Sequence, residues 1–219
     1  FVGISKGDCS CKIEYAYDLP NLQDEKVHLV YEVYGDGKII VDMSYQPVVF
    51  EIEMPVFGLI FQLYKDMEEV NYYGFGPEEN YIDRNKGALL GKYTYQVTDN
   101  LTPYLYPQEC GNRTHVRELS VAGENTKLTV KGEDFEFTAL HYTPYELENA
   151  RHKDELPNVY QTVLCINEKQ MGVAGDDTWG AKCQITDIDI DTFIHSGSFL
   201  SLINRNAPIY IAVFPFRET

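Results

Sequence analysis

The 219-residue sequence has no apolar run near the roughly 20 residues that a membrane-spanning helix requires. It also shows no charged segment leading into an apolar stretch after Phe1, the pattern of an export signal. Basic residues are few: 18 lysines and arginines oppose 34 aspartates and glutamates, so the formal net charge is -16. Because such a surface repels phosphates and anionic headgroups, nucleic acid and membranes are not expected partners.

Cysteine and histidine are too scattered to indicate a metal site. The 5 cysteines include no CxxC pair, and the 5 histidines fall into no HExxH or i, i+4 spacing. A chain of this size can be held by its core, so we expect free thiols, a reducing compartment and a cytoplasmic location. We expect this chain to bind no metal ion or other cofactor through its own residues.

Aromatic and β-branched residues are abundant, and they alternate with polar ones. The 17 tyrosines and 11 phenylalanines favour strands. KVHLVYEVYGDGKIIVDMSY predicts two strands joined at Gly35, Asp36 and Gly37. Further strands are predicted in VVFEIEM, GLIFQLY, KLTVKG, DFEFTALHY, VYQTVLCIN, MGVAG, KCQITDIDI and PIYIAVFPF. The pattern predicts an all-β fold over residues 1–219, a single large antiparallel sandwich.

One short helix is predicted in TPYELENARHKDELP. Thr143 is a suitable N-cap, Pro144 fits the first helical position, and Glu146 can complete a capping box. Leu156 and Pro157 are predicted to end the helix.

Proline and glycine are concentrated between Gly74 and Arg117, which predicts loops with only short strands. The G-x-G in YYGFGPEENYIDR has no following helix and is interpreted as a turn. Arg113 and Arg117 lie near Glu109 and Glu118 in sequence. They either orient a polar ligand or form ion pairs at the base of a loop.

No catalytic residue can be assigned. A glycosidase needs two carboxylates at a defined separation, roughly 5 Å for retention, and 34 acidic residues offer many pairs. Asp176 and Asp177 are neighbours in a turn, where short polar side chains more often stabilise the backbone. The glycosylation triplets at Asn100 and Asn112 matter only in an exported eukaryotic protein, so we assign them no role.

The single tryptophan, Trp179, stands in the polar stretch GVAGDDTWGAK. An exposed indole is suited to stack on a sugar ring or another apolar ligand. The alternative is that the ring packs against a neighbouring domain. The residues alone leave both interpretations open.

Four stretches are together similar to one known family: YYGFGPEENYIDR, TPYLYPQECGNRTHVREL, FEFTALHYTPYELENARHKDEL and MGVAGDDTWGAK. In this order and spacing they resemble the C-terminal domain of β-galactosidases of glycoside hydrolase family two. The same domain forms the separate small subunit of split enzymes. The resemblance runs from about Tyr15 to Phe216, and four long motifs in register are far more specific than one short pattern.

The resemblance implies a supersandwich of the galactose-mutarotase type, packed beside a TIM barrel. That barrel, in the same polypeptide or in a large subunit, carries the catalytic glutamates and the magnesium ligands for retaining hydrolysis of β-D-galactosides such as lactose. Magnesium and sodium are therefore expected only in the complete enzyme. In the family, the tryptophan of a G-G-D-D-S-W type segment forms the platform for glucose in the aglycone subsite. That position is Trp179, and Asp176 and Asp177 join it as substrate-binding candidates.

The sequence departs from the family pattern in two ways. Cys110 stands where the family usually has asparagine in a Q-E-N-G-N-R type segment. The chain also starts partway into the domain, which implies missing early strands and an exposed strand edge. Two alternative functions stay open: a free carbohydrate-binding module using Trp179 with Asp176 or Asp177, and a purely structural interface domain.

Overall fold

The computed structural model describes residues 1–19, 26–45 and 56–170, together with the backbone of 22–25, 197–203 and 210–212. The strands in these residues are β1 (Gly3–Lys6), β2 (Ser10–Leu19), β3 (Leu22–Tyr34), β4 (Lys38–Tyr45), β5 (Val56–Tyr64), β6 (Glu69–Gly76), β7 (Leu89–Gln96), β8 (Arg113–Ala122), β9 (Lys127–Leu140), β10 (Gln161–Gln170), β11 (Gly197–Ile203) and β12 (Tyr210–Ala212). The described helices are α1 (Pro144–Asn149) and the 3-10 turns Val97–Asn100 and Lys153–Glu155.

The long strand β9 is the branching point of an antiparallel sheet. Along one edge it pairs with β8, which leads to β6 and β7. Its other edge is shared, because residues 127–131 pair with β11 and residues 136–140 pair with β10. The sheet continues from β11 through β4, β3 and β2 to β1, and from β10 through β5 to β12.

The hydrophobic core joins these branches. Buried side chains of β3 and β4 form one cluster with those of β5, β6, β8, β9 and β10. Phe61, Phe135 and Phe137 are among its largest fully buried members. Along β5 and β6 buried residues alternate with partly exposed ones, as expected for strands with one face in a core. The all-β sandwich predicted from the sequence is confirmed.

The predicted hairpin joins β3 to β4. Val33 pairs with Ile39, and the Gly37 N–H donates to the Tyr34 carbonyl at 3.1 Å. KLTVKG and DFEFTALHY, predicted as separate segments, form the continuous strand β9. The segments VVFEIEM, MGVAG and KCQITDIDI lie outside the described residues.

The predicted helix starts as expected but is shorter. Thr143 is the N-cap, Pro144 follows it, and Glu146 completes the capping box. The helix ends at Asn149, and only a 3-10 turn at Lys153–Glu155 follows, so the predicted end at Leu156 is wrong. Leu147 is the buried residue of α1, and without a longer apolar face nothing extends the helix. No helix in the described residues is long and apolar enough to cross a membrane.

The interpretation of G-x-G as a turn is wrong, because Gly74 and Gly76 belong to β6. A Cβ at Gly74 would lie 2.8 Å from Val116 Cγ2, and one at Gly76 would meet the Tyr72 hydroxyl and the Tyr93 ring. The two glycines therefore allow neighbouring groups to approach the strand closely.

Candidate functional site

The two faces of β9 have different chemistry. Phe135, Phe137 and Ala139 belong to the core cluster, whereas Glu136 and Thr138 alternate with them and are also buried. In register, Glu136 is paired with Asn167 of β10, so polar residues lie side by side on this second face. The loop of residues 101–112 supplies further polar groups to it, and together they form the candidate site.

Glu79 fixes this loop to the segment that follows β6. Its carboxylate accepts hydrogen bonds from the Gly111 N–H at 2.7 Å, the Thr102 hydroxyl at 2.7 Å and the Tyr104 hydroxyl. Arg84 Nη2 adds an ion pair at 2.6 Å. Burial opposes ionisation of Glu79, but these donors outweigh it and hold the pKa of the carboxyl below its usual value. The loop is thus held by charge-assisted bonds.

Asn80 makes a second set of bonds between the same segments. Its N–H donates to the Asn112 carbonyl at 2.9 Å, and its own carbonyl accepts from Asn112 Nδ2 at 3.1 Å. Its side-chain Oδ1 accepts from the Thr114 N–H at 3.0 Å and from the Thr114 hydroxyl at 2.6 Å. Hydrogen bonds of Glu79 and Asn80 therefore join two of the motifs that carry the resemblance, PEENYIDR and PQECGNRTHVR.

Glu136 is bonded to Asn112 of this hydrogen-bond network, and its side chain is buried, with only 2% of the residue exposed. Its Oε2 accepts from Asn112 Nδ2 at 3.0 Å, and the Gln170 backbone N–H also donates to the carboxylate. Burial raises the pKa of Glu136 to about 7, although Asn112, Lys169 and Gln170 favour its ionised form.

Glu109 is a second carboxyl with a raised pKa, although it is half-buried and not fully enclosed. Burial raises its pKa to about 7, and hydrogen bonds from Gln170 and Thr138 lower it only in part. The Gln170 side chain also accepts from Asn167 Nδ2 at 2.8 Å. Gln170, the last residue of β10, is therefore bound to Glu136, Glu109 and Asn167 at once.

These raised pKa values do not make Glu109 and Glu136 a glycosidase pair. A general acid must reach the glycosidic oxygen, whereas Glu136 is enclosed and both of its known donors are protein groups. Enclosed carboxyls with satisfied hydrogen bonds fix local geometry, and they do so at a cost in desolvation. The arrangement is suited to hold segments in place.

Arg113 is buried and does not form the ion pair that the sequence left open. Its guanidinium donates to Tyr72 Oη at 3.1 Å, to Asn100 Oδ1 at 3.1 Å and to the carbonyls of Gly111 and Asn112. The ring of Tyr95 lies 5.2 Å from the guanidinium carbon. These donors are all directed at groups of the protein itself, so Arg113 acts as an internal brace.

Arg117 and Glu118 have separate partners. Arg117 donates to the His115 carbonyl at 2.7 Å, and Glu118 pairs with Lys131 at 3.1 Å.

The two glycosylation triplets are closed to modification in this fold. Asn112 is 0% exposed, and its amide is bonded to Asn80 and Glu136. Asn100 Nδ2 donates to the carbonyls of Gly111 and Ala139. Both side chains therefore belong to the internal network.

Cys110, the departure from the family motif, is buried against Leu140 and Leu147. Burial raises the pKa of its thiol to about 11. Cys110 thus makes an apolar contact at the position where the family motif usually has an asparagine side chain. The other described cysteines, Cys9, Cys11 and Cys165, are free thiols as well, while Cys183 lies outside the described residues.

The sequence candidates Trp179, Asp176 and Asp177 lie outside the described residues, so their placement stays a prediction. Sequence reasoning missed Glu79, Asn80 and Glu136 as the residues that build the network. The first two lie in a motif that carried the resemblance, and that was the available signal. Glu136 alternates with apolar residues along β9, so from the sequence pattern alone it resembles a solvent-exposed charge.

The described residues contain no group of three or more histidine, cysteine, aspartate or glutamate side chains that could hold a metal ion. The expectation that the magnesium ligands lie in the barrel stays a prediction.

Fold and site together define a β-sandwich module whose buried polar groups organise loops. The chain belongs to the β-galactosidase small chain family, whose model matches residues 4–188.

Similar proteins include the β-galactosidase of Streptococcus thermophilus, 41% identical over 177 residues, which cover 80% of this chain and 17% of that protein. The β-galactosidase of Halalkalibacterium halodurans is 40% identical over 181 residues, 80% of this chain and 18% of the relative. That of Lactobacillus delbrueckii subsp. bulgaricus is 39% identical, again over 80% and 18%. The chain thus spans less than a fifth of the length of these relatives.

Proposed function

We propose that this chain is the C-terminal domain of a retaining β-galactosidase that hydrolyses terminal β-D-galactosides such as lactose. The observation that carries the proposal is the unequal coverage: the match takes up 80% of this chain but only 17% of the Streptococcus thermophilus enzyme. The remaining part of such an enzyme holds the catalytic barrel, with the catalytic glutamates and the magnesium ions, and sodium where it is bound. The isolated chain then hydrolyses nothing.

Within that enzyme, Trp179 completes the aglycone subsite. A flat indole can stack on glucose and still accept water or galactose in its place, because stacking tolerates variation better than directed hydrogen bonds. Asp176 and Asp177 support the turn and offer hydrogen bonds to the sugar. The locked loops on β9 keep the rest of the domain rigid, which favours a precisely placed platform.

The test is the substitution of Trp179 by alanine in a complete enzyme that contains this chain. We expect weaker glucose binding and reduced transfer of galactose to a glucose acceptor, while hydrolysis of an aryl galactoside changes less. Trp179→Phe is the matched control because it keeps a flat ring, and it should retain part of the acceptor activity. Unchanged acceptor kinetics in Trp179→Ala would reject the platform.

The isolated chain tests the alternative of a free carbohydrate-binding module. Its fluorescence reports Trp179 alone, since the chain has 1 tryptophan. Titration with glucose, galactose and lactose should give no saturable change if the subsite needs the barrel. A saturable, sugar-selective change would favour the binding module.

A further inference from the structure

The loop of residues 101–112 has a buried side and an exposed side. On the buried side, Leu101 and Tyr104 pack against a small apolar cluster. The enclosed members of this cluster are Cys110, Leu140 and Leu147. Leu105 and Tyr106, which form the tip of the loop, are instead 82% and 60% exposed. Leu105 is the most exposed large hydrophobic side chain in the described part of the chain.

Hydrogen bonds on both sides of the tip hold the loop in place. Glu79 accepts them from the hydroxyls of Thr102 and Tyr104 before the tip and from the Gly111 N–H after it. The Thr102 carbonyl accepts a further bond from the Tyr104 N–H at 2.8 Å. The apolar tip therefore stands on an ordered loop, and a partner that covers it would lose little affinity to loop ordering.

The elements around the tip carry further aromatic surface. The ring of Tyr106 lies at 27° to that of His152, with 6.0 Å between the ring centroids. His152 follows α1, whose Leu147 belongs to the small cluster. Tyr160 is 58% exposed, and its hydroxyl donates to Glu146 of α1 at 3.1 Å. Exposed aromatic side chains therefore lie on, or are bonded to, the elements that cover the cluster.

The chemistry of this surface favours a protein as its partner. The hydroxyl of Tyr160 is bonded to Glu146 and Gln161, and that of Tyr104 is bonded to Glu79. Because these hydroxyls bind groups of the chain itself, the surface favours apolar contact over recognition of a polar ligand. The net charge of -16 opposes phosphates and anionic headgroups. Exposed tyrosines beside a large aliphatic side chain are typical of protein interfaces, in which aromatic residues are enriched.

The catalytic part of the proposed enzyme is the partner that these observations favour. The match takes up 80% of this chain but only 17% of the Streptococcus thermophilus enzyme, so in an enzyme of that length this domain has a much larger body to pack against. The tip lies within TPYLYPQECGNRTHVREL, one of the stretches that carry the family resemblance. We infer that the tip of the 101–112 loop docks on the catalytic part of the enzyme. This inference rests on the proposed function and adds the surface by which the domain is held there.

The test is photo-cross-linking in the complete enzyme that contains this chain. Tyr106→p-benzoylphenylalanine keeps an aromatic ring at the tip and captures whatever lies next to it. The matched control is the same substitution at Tyr64, an exposed tyrosine at the end of β5. After irradiation, mass spectrometry of the peptides identifies the captured segment. We expect peptides of the catalytic part to be captured at position 106 and not at position 64.

Three results would overturn the inference. They are capture of a second copy of this domain, which doubles the mass of the product, capture within the same domain only, and no capture at all. Equal capture of the catalytic part at positions 106 and 64 would also overturn it, because the contact would then not be specific to the tip.

A smaller change at the tip gives a second measurement. In the complete enzyme, Leu105→Asp should shorten the half-life of activity at raised temperature on the order of tenfold, because a charge is placed in an apolar interface. Leu89→Asp is the control, because Leu89 is 71% exposed on β7, and it should change the half-life less than about twofold. An unchanged half-life in Leu105→Asp would contradict the docking role.

The inference and the proposed function can fail separately. If Trp179→Ala alters acceptor kinetics while position 106 captures only this domain, the docking surface fails and the proposed function stands. If Trp179→Ala has no effect, the proposed platform fails, and the cross-links still decide where the tip lies.

Discussion

His141 Nε2 lies 2.8 Å from Glu68 Oε1, and Nδ1 of the same ring lies 2.9 Å from the Gln161 carbonyl oxygen. Because a carbonyl only accepts, Nδ1 carries a proton in this arrangement. The Thr98 hydroxyl lies 3.0 Å from Nε2. One buried ring just after β9 thus connects the β5–β6 turn, the first 3-10 turn and the start of β10.

Substitution of His141 by alanine should lower the free energy of unfolding by about 1–3 kcal/mol, since it removes a buried ring that is bonded to Glu68 and to the buried Gln161. Urea unfolding followed by circular dichroism measures the loss. His28→Ala, on an exposed position of β3, is the control and should change stability little. Equal effects of the two variants would contradict the bridging role of His141.

Arg113→Lys should be strongly destabilising although it keeps the charge. The lysine ammonium cannot reproduce the planar set of donors that reaches Tyr72, Asn100 and two carbonyls. We expect a loss of about 2–4 kcal/mol, in the range for breaking a buried hydrogen-bond network. Arg117→Lys is the matched comparison, because Arg117 is only partly buried and has fewer bonds. A loss as large as that of Arg113→Lys would refute this reasoning.

The pKa of Glu136 predicts a pH dependence of stability. Its value rises from 4.5 to about 7 on folding, so between these values the folded chain binds more protons than the unfolded chain. The stabilising contribution of the protonated group is therefore full below about pH 4.5 and is lost as the pH rises to about 7. The free energy of unfolding of Glu136→Gln should fall less steeply over this interval than that of the unmodified chain.

Several charged groups act on the same region, so the variant must be compared with the unmodified chain at each pH. Lys169 favours the ionised form of Glu136, Asp134 opposes it, and Glu109 titrates in the same direction from its own raised pKa. Glu79 has a lowered pKa, and its contribution is lost only in acid, below the interval used for Glu136. Parallel stability curves for Glu136→Gln and the unmodified chain would contradict the assignment.

The cysteines should differ in reactivity towards a thiol reagent. Cys9 is exposed, whereas Cys110 is 1% and Cys165 8% exposed, and burial raises the pKa of both enclosed thiols. In the folded chain at pH 8 we expect rapid labelling of Cys9 and slow labelling of Cys110 and Cys165, because thiolates are the reactive form. Peptide mass spectrometry after timed labelling identifies each site, and denaturation should remove the difference.

The elements built by short-range chemistry could be predicted from the sequence. The hairpin before Lys38 follows from alternation and turn residues, and the start of α1 follows from Thr143 and Glu146. The end of α1 could not be predicted, because it depends on how much of the helix finds a surface to pack against. The strand position of Gly74 and Gly76 could not be predicted either. It depends on side chains from β7 and β8 that pack closely against these glycines.

The candidate site was harder to predict because its partners are distant in the chain. Glu79 and Gly111 are separated by 32 positions, and Glu136 and Asn112 by 24. Local patterns cannot show that such residues meet. The family motifs marked the right segments, yet they gave no indication that the buried carboxyl beneath them lies on β9.

The branching of β9 has a consequence for folding during synthesis on the ribosome. Its hydrogen-bonding partners come from residues 113–122, 161–170 and 197–203, so two of the three are synthesised after it. The sheet of β1 to β4 is joined to the rest through β11. A nascent chain that has emerged only as far as β10 therefore still lacks β11, the strand that, among the described ones, pairs with the second edge of β4. The two branches of the sheet can be joined through β11 only after residues 197–203 have been synthesised.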